Sequence, residues 1–405
     1  MRIRFLGKTS LKLIIFTGLI LLVFSNYGQA QNEGDTIWTR VYDAGVGQEI
    51  HSVEQTSDGG FVAAGYIGGS ETADFLLLKT DSNGDMLWFR KYGAVDENEQ
   101  AQSVKQTYDG GYIVVGWVKF RNIFDYWNIY MVRTDANGDT IWTWKYAGEG
   151  YAYGYDVEET PDNGFVIVGK TGDSATIDDY DAYLIKLDAA GDTVWTRVYG
   201  DHTNQDLYDV ELTSDGGYVV TGHYGDCSPT CPGSYDVLLM KVAANGDSLW
   251  GHTYGDSLVD IGYSVKATSD GGYIIAGSAE SWTPGEKQAY FIKTNSNGDT
   301  LWTRLYGAGT FNDEAHSICE TYSGNYATAG YSELPDRNIE FYFLKLDPNG
   351  DTLWTGLYGS PYAERAYSVI QVTDGSFLMA GSTDYFGPPR QKGYLVNIAG
   401  PVLYG

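Results

Sequence analysis

Basic residues are scarce in this chain: 26 Lys and Arg stand against 53 Asp and Glu in 405 residues, a formal net charge of −27. A chain of that sign repels phosphate backbones and anionic headgroups, so no nucleic-acid partner is expected. Histidine occurs five times, scattered, and no pair has the spacing of a zinc site. Cysteine occurs three times. Cys227 and Cys231, in Cys-Ser-Pro-Thr-Cys, are expected to close a local disulfide in an oxidising compartment, contributing about 2 kcal/mol. Cys319 is left over as an incidental thiol. Long apolar runs are missing as well. The longest, Leu13 to Phe24, is too short to span a bilayer comfortably, so no membrane insertion is expected.

That run has its own context. Arg2, Arg4, Lys8 and Lys12 precede it and Gly28-Gln29-Ala30 follows it, the layout of a cleaved leader over residues 1–30. Export through the Sec pathway follows, to the periplasm, the outer surface or the medium. Removing the leader takes away four positive charges and no negative ones, deepening the net charge to −31.

What the rest of the chain has is repetition. Gly-Asp-x-(Leu/Ile/Val)-Trp begins at residues 34, 84, 138, 191, 246, 298 and 350. A turn typified by Asp-Gly-Gly-Tyr begins at 58, 109, 162, 215, 270, 323 and 374. An apolar string typified by Ala-Tyr-Leu-Ile-Lys recurs seven times between them, at 75–79, 129–133, 182–186, 237–241, 289–293, 341–345 and 393–397. Three signals of seven copies each, with a period near fifty, define a repeat architecture. Each unit reads as four strands, A to D. Asp-Gly turns join A to B, because Gly accepts positive φ, and Asp-Pro-Asn-Gly-type turns join C to D. B and C are near-continuous apolar runs, the pattern of strands covered on both faces. D alternates and often carries a cation after its Trp (Arg40, Arg90, Arg197, Arg304), as a guarded outer edge should.

The ends decide between a line and a ring. The repeat region opens with an orphan strand D at 35–43 and closes with A, B and C at 364–398. Pairing them completes a seventh blade. The expectation is an all-β, seven-bladed propeller with four antiparallel strands per blade, occupying 31–405. Its blades are 48–93, 99–147, 152–200, 205–255, 260–307, 313–359 and 364–398 plus 35–43. Deleting residues 31–43 should leave an open, aggregating protein. The period and the two turn motifs resemble the β-propeller repeat family of secreted bacterial proteins, over residues 34–398. That resemblance implies the fold and an exported life, and says little about ligands. Many relatives carry a C-terminal sorting domain, whereas this sequence stops at Gly405 without one.

Chemistry is sought on one face. In a four-stranded meander the uniform A–B and C–D turns share one side, and the B–C loops, different in every blade, share the other; scaffolds carry function on variable loops. The expected binder engages an extracellular protein or glycan there, as a monomer. Candidates are Trp117, Lys119, Phe120, Arg121, Phe124, Tyr126 and Trp127 as a stacking platform, with Tyr224, Trp282 and Tyr385 on other blades. The alternative is that the loop folds over its own blade and buries these rings. The seven strand-D Trp residues are expected to wedge between blades. A second class of reading is a hydrolase or lyase acting on polysaccharide at the channel mouth. There a recurrent position (His51, Gln102, Tyr155, Tyr208, Tyr263, His316, Tyr367) is expected beside Glu49, Glu99, Asp206, Asp260, Asp313 and Glu364. A third is a structural surface component without a ligand. No catalytic residue set, metal site or resident cofactor is assigned. Asp81-Ser-Asn-Gly-Asp85 and its copies resemble half an EF-hand loop, which leaves only weak calcium binding open.

Overall fold

The computed structural model describes residues 9–16, 19–26, 32–69, 72–120, 127–146, 150–172, 180–200, 203–225, 234–280, 286–307, 311–336, 338–384 and 391–400. Thr9–Phe16 and Leu19–Asn26 pair as a separate antiparallel hairpin. Every other strand belongs to one of seven four-stranded antiparallel sheets. Blade 1 is typical: Gln48–Gln55 (A), Phe61–Gly69 (B), Thr72–Thr80 (C) and Met86–Tyr92 (D) hydrogen-bond in that order. Blade 7 takes A, B and C from Glu364–Gln371, Phe377–Thr383 and Lys392–Ile398, and D from Thr36–Tyr42. Trp38 lies opposite Asn397 and Tyr42 opposite Gly393. The protein is an all-β, seven-bladed propeller closed by its N-terminal strand.

The apolar runs of B and C dictate where the core sits. Buried side chains fall into seven clusters, each between two neighbouring blades. The cluster at the closing seam joins Ala380 and Leu395 of blade 7 to Val53, Phe61 and Leu78 of blade 1, with Trp38 and Tyr42 inside it. Strand D latches each junction. Trp38 and Arg40 pack on Gly84 of the next blade's C–D turn, and the Tyr42 hydroxyl donates to the Gly84 carbonyl at 2.7 Å. The same Tyr-to-Gly bond recurs from Tyr92, Tyr199, Tyr254, Tyr306 and Tyr358. Each accepting glycine has φ between +74° and +89°, a left-handed turn that also leaves room for the incoming indole. The tryptophans are inter-blade wedges, and the arginines after them stack on those indoles, Arg90 at 5.3 Å from Trp88 for one. Arg40 also pairs with Asp85 of the next blade at 3.1 Å.

The Asp-Gly-Gly turns hold a second repeated device. Asp215 accepts from the Thr213 hydroxyl, the Gly217 N–H and, at 3.0 Å, the ammonium of buried Lys241 on strand C. Asp58–Lys79, Asp109–Arg133, Asp162–Lys186 and Asp270–Lys293 repeat the pair. Blade 6 departs from it: Ser323 stands where the aspartate would, and its buried Lys345 instead pairs with Glu33, just ahead of the closing strand. A buried ammonium must find a counter-charge, so blade 6 borrows its acid from the other end of the chain.

Candidate binding site at the channel mouth

Strand A lines the central channel, and in every blade it carries a β-bulge. Pairing with strand B skips one residue between Ile50 and Ser52, Ala101 and Ser103, Gly154 and Asp156, Leu207 and Asp209, Gly262 and Ser264, Ala315 and Ser317, and Ala366 and Ser368. The skipped residues are His51, Gln102, Tyr155, Tyr208, Tyr263, His316 and Tyr367, the recurrent position singled out in the sequence. A bulge re-aims side chains that strict alternation would send to opposite faces. It lets this residue and its successor both line the axis: His51 and Ser52 share one cavity wall, as do Tyr155 and Asp156. Strand B accommodates the bulge with glycine. A Cβ on Gly222 would sit 1.8 Å from the Asp206 carbonyl, and Gly65, Gly116, Gly169, Gly277, Gly330 and Gly381 are equally crowded.

The bulged residues form an aromatic collar. Ring centroids run Tyr155–Tyr208 at 5.0 Å, Tyr208–Tyr263 at 5.9 Å, Tyr263–His316 at 4.5 Å, His316–Tyr367 at 5.6 Å and Tyr367–His51 at 5.3 Å. Gln102 is the one gap. The collar encloses about 320 Å³ at the mouth, and a chamber of about 240 Å³ lies beneath it. From Tyr155 the stacking continues outward to Tyr153 at 6.3 Å, Trp127 at 5.1 Å from Tyr153, and Trp117 at 4.6 Å from Trp127. These distances suit attractive ring pairs.

Polar groups brace the collar. His51 Nε2 lies 3.0 Å from Glu49, and His316 Nε2 3.2 Å from Glu314. Lys287 reaches Glu314 at 3.0 Å. Against the upward push of burial, His316 and Lys287 hold the Glu314 carboxyl well below the usual range. Lys170 pairs with Asp206 at 2.7 Å and sits over the rings of Tyr180, Tyr153 and Tyr155. Tyr208 bonds Asp206 and His223, both at 3.2 Å, and burial pushes its hydroxyl well above the ordinary tyrosine range. Desolvation likewise lowers His223, which favours its neutral ring.

Below the collar a ring of hydrogen bonds joins successive A strands. Val53 N–H donates to Ser368, Val104 to Ser52, Val210 to Asp156, Val265 to Asp209, Ile318 to Ser264 and Val369 to Ser317. Blades 3 and 4 place aspartate where the other five place serine. Burial raises Asp156 well above the ordinary carboxyl range, and the neighbouring Asp209 charge adds to it.

Several expected site residues lie elsewhere. Glu99, Asp260, Asp313 and Glu364 do not reach the channel mouth. They sit three residues before the bulge, are buried, and face the blade junctions. Glu99 accepts from Ala94 N–H, Asp260 from Asp256 N–H and Glu364 from Ser360 N–H, capping their own D–A loops, while Asp313 lies against Gly307. Alternation is the reason: Glu49 and Asp206 stand two residues before the bulged residue and these four stand three before it, so the two sets point to opposite faces of strand A. The platform at 117–127 is also not all loop. Strand B of blade 2 runs Tyr112–Phe120 and strand C begins at Trp127, with Trp127 opposite Lys119. Trp117 is 9% exposed and belongs to its own blade, whereas Trp127 is half-buried, with Lys119 over its ring at 5.0 Å. Phe120 lies under Lys145, and Tyr224 is half-buried on strand B of blade 4. Arg121, Phe124, Tyr126, Trp282, Tyr385, Cys227 and Cys231 fall outside the described residues. Cys319 is half-buried, and desolvation pushes its thiol up to about 12, which disfavours the nucleophilic thiolate. No group of three or more metal-ligating side chains occurs among the described residues.

No protein-family model and no curated protein matches the chain. Solved structures do. Sqt1 from Chaetomium thermophilum aligns with a TM-score of 0.52 at 11% identity, covering 92% of this chain and 99% of that one. The polysaccharide lyase Uly1 aligns with a TM-score of 0.51 at 11% identity, covering 92% and 91%. YCF48 bound to D1 peptide aligns with a TM-score of 0.51 at 10% identity, covering 93% and 100%. At these identities the likeness is one of fold, and that fold serves binding proteins and enzymes alike.

Proposed function

We propose that this protein is a non-catalytic binding scaffold, exported and acting outside the cytoplasm, that engages a protein or glycan through the face carrying the collar and the B–C loops. One observation supports the reading above the rest. Aromatic stacking runs unbroken from Trp127 on the rim to the channel mouth and around six of seven blades. Half-buried rings with paired charges between them suit ring-faced sugars and apolar protein anchors. The sequence resemblance to secreted bacterial repeat propellers and the leader-like first thirty residues point the same way. The test is capture of glycans and of extracellular proteins by the wild type, by Trp127→Ala and by Tyr155→Ala. Loss in both variants, with melting unchanged, supports the reading; equal capture by all three sinks it.

A second reading, a hydrolase or lyase acting on polysaccharide, is favoured by the two His–Glu pairs at the mouth, His51–Glu49 and His316–Glu314. An imidazole oriented by a carboxylate is the usual form of a general base. Turnover of polysaccharides that disappears in His316→Ala would move the protein into that class.

A further inference from the structure

We propose that the chamber below the collar is a receptor for an organic ammonium group, which enters between the tyrosine rings and comes to rest against Asp156 and Asp209. This deepens the reading of the collar face as a binding surface and rests on it.

The chamber is a space of about 240 Å³, partly open to solvent, whose walls are mostly polar strand-A side chains: Ser52, Ser103, Ser264, Ser317 and Ser368, with Asp156 and Asp209 interrupting the series on adjacent blades. Ser52, Ser264, Ser317 and Ser368 each accept an inter-blade N–H, so serine suffices for that bond in four blades, while the hydroxyls of Ser103 and Ser264 donate to Asp156 and Asp209. Closing the ring therefore does not require aspartate. Two carboxyls in place of two hydroxyls add acid to this wall, with Asp156 buried and Asp209 half-buried. The layer below does not balance it. Lys105 pairs with Glu158 and Lys266 with Glu211, both at 2.5 Å, and Glu54 faces the same layer. Five carboxyls thus face two ammonium groups, and among the described residues no cation makes an ion pair with Asp156 or Asp209. A buried charge such as that of Asp156 is satisfied by a partner or a proton.

The entrance selects the partner's chemistry. A ring of π-faces with carboxylates behind it attracts an alkylammonium by cation–π and charge-assisted contacts together. A bare metal ion gains little from aromatic walls, and among the described residues no third carboxylate or histidine is grouped with the pair to ligate it. The molecule already uses the motif beside the mouth, where the Lys170 ammonium lies 4.3 Å from the Tyr180 ring centroid with Asp206 as its counter-ion. Burial and the Asp209 charge favour the protonated form of Asp156, with Lys105 opposing from below. An incoming ammonium favours the carboxylate form instead, so affinity should rise with pH and binding should release protons to buffer.

The experiment is calorimetric titration of the full chain with butylammonium, putrescine and lysine amide, against n-butanol as the neutral isostere, in buffers of differing ionisation heat. The amines should bind with proton release, butanol should not, and Asp209→Asn should weaken the amines about tenfold or more, the scale of one charge-assisted contact. Preference for lysine amide over butylammonium would indicate a protein side chain as the source, and preference for glucosamine an amino sugar. Equal binding of butanol and amines, no amine binding, or amine binding unchanged in a folded Asp209→Asn would each overturn the proposal. Should Trp127→Ala abolish capture of a macromolecule while no amine binds, the face is a binding surface and only the ammonium receptor fails. Should amines bind while nothing large is captured, the reverse holds.

Discussion

Two sets of carboxyls at opposite ends of the blades behave oppositely. On the side of the Asp-Gly-Gly turns, Asp58, Asp162 and Asp215 are each brought down to about 2. For Asp215 the Thr213 hydroxyl leads, against opposing desolvation, with the Lys241 ammonium and the Gly217 N–H adding to it. On the loop side Glu99 is pushed up to about 8, by burial first and by the adjoining Glu97 next. Asp260 rises to about 6, for burial and for the company of Asp256, Asp236 and Glu280. On the turn face five Asp-Gly turn acids each meet a buried cation of their own blade, and Lys345 of blade 6 takes its acid from the far end of the chain. The loop face leaves acids in surplus. A surface whose electrostatics are complete in itself is a frame, and one with unspent charge and unfilled aromatic walls has capacity for something else.

The largest way to break this contrast is to open the frame. Removing residues 32–43 takes away strand D of blade 7, the Trp38 and Tyr42 wedge and the counter-ion of Lys345. We expect loss of the cooperative melting transition and aggregation; a monomer with wild-type melting would refute the closure argument. Next comes Gly277→Ala, which drives a methyl onto the Ile261 carbonyl, 1.8 Å away. It should cost roughly 3 kcal/mol, the upper part of the overpacking range. Denaturant titration should show a far smaller loss for Gly216→Ala, where φ is +81° but nothing lies within 4 Å.

A subtler break is at blade 6. Glu33→Gln should destabilise by about 1–2 kcal/mol, discounted from a fully buried pair because Glu33 is partly exposed. Ser323→Asp should restore most of it by giving Lys345 the local partner that other blades use. Absence of rescue would mean that the borrowed acid acts through something other than charge. The two faces should also separate by pH. The depressed turn aspartates contribute stability that is present above about 4 and is lost as pH falls towards 2. Glu99 runs the other way: its contribution is full below about 4.5 and is lost as pH rises through about 8. Glu99→Gln should therefore raise the melting temperature at pH 9 and change it little at pH 4. The smallest effect belongs to Cys319, which should resist thiol reagents in the folded state and react once denaturant is added.

Much of the frame was legible in the sequence because sevenfold repetition turns weak signals into one strong one. The split blade, the inter-blade tryptophans and the two turn types follow from motif spacing and from which strand lacks a partner. The channel-mouth position was legible too, as a polar or aromatic residue recurring before Ser or Asp. Its acidic neighbours were misassigned because residues two and three before it were grouped together, although successive side chains on a strand point to opposite faces. The bulge itself was missed as well. The signal for that bulge was in plain view: a glycine in the middle of every apolar strand B, from Gly65 to Gly381, where close backbone approach is the usual cause. The platform at Trp117 and Trp127 was found as a cluster, but its division into one buried and one half-buried ring depends on how far strands B and C extend.

The amino-acid order alone determined how many blades there are, which strand closes them and which side carries variable loops, since each follows from local pattern and counting. Only the folded ring decided which carboxyls meet a cation and which meet one another. Asp156 and Asp209 lie a full repeat apart in the chain and become neighbours because adjacent A strands converge on one axis. Charge pairing is a matter of through-space distance and exclusion of water, and neither is written in the spacing of residues along a chain.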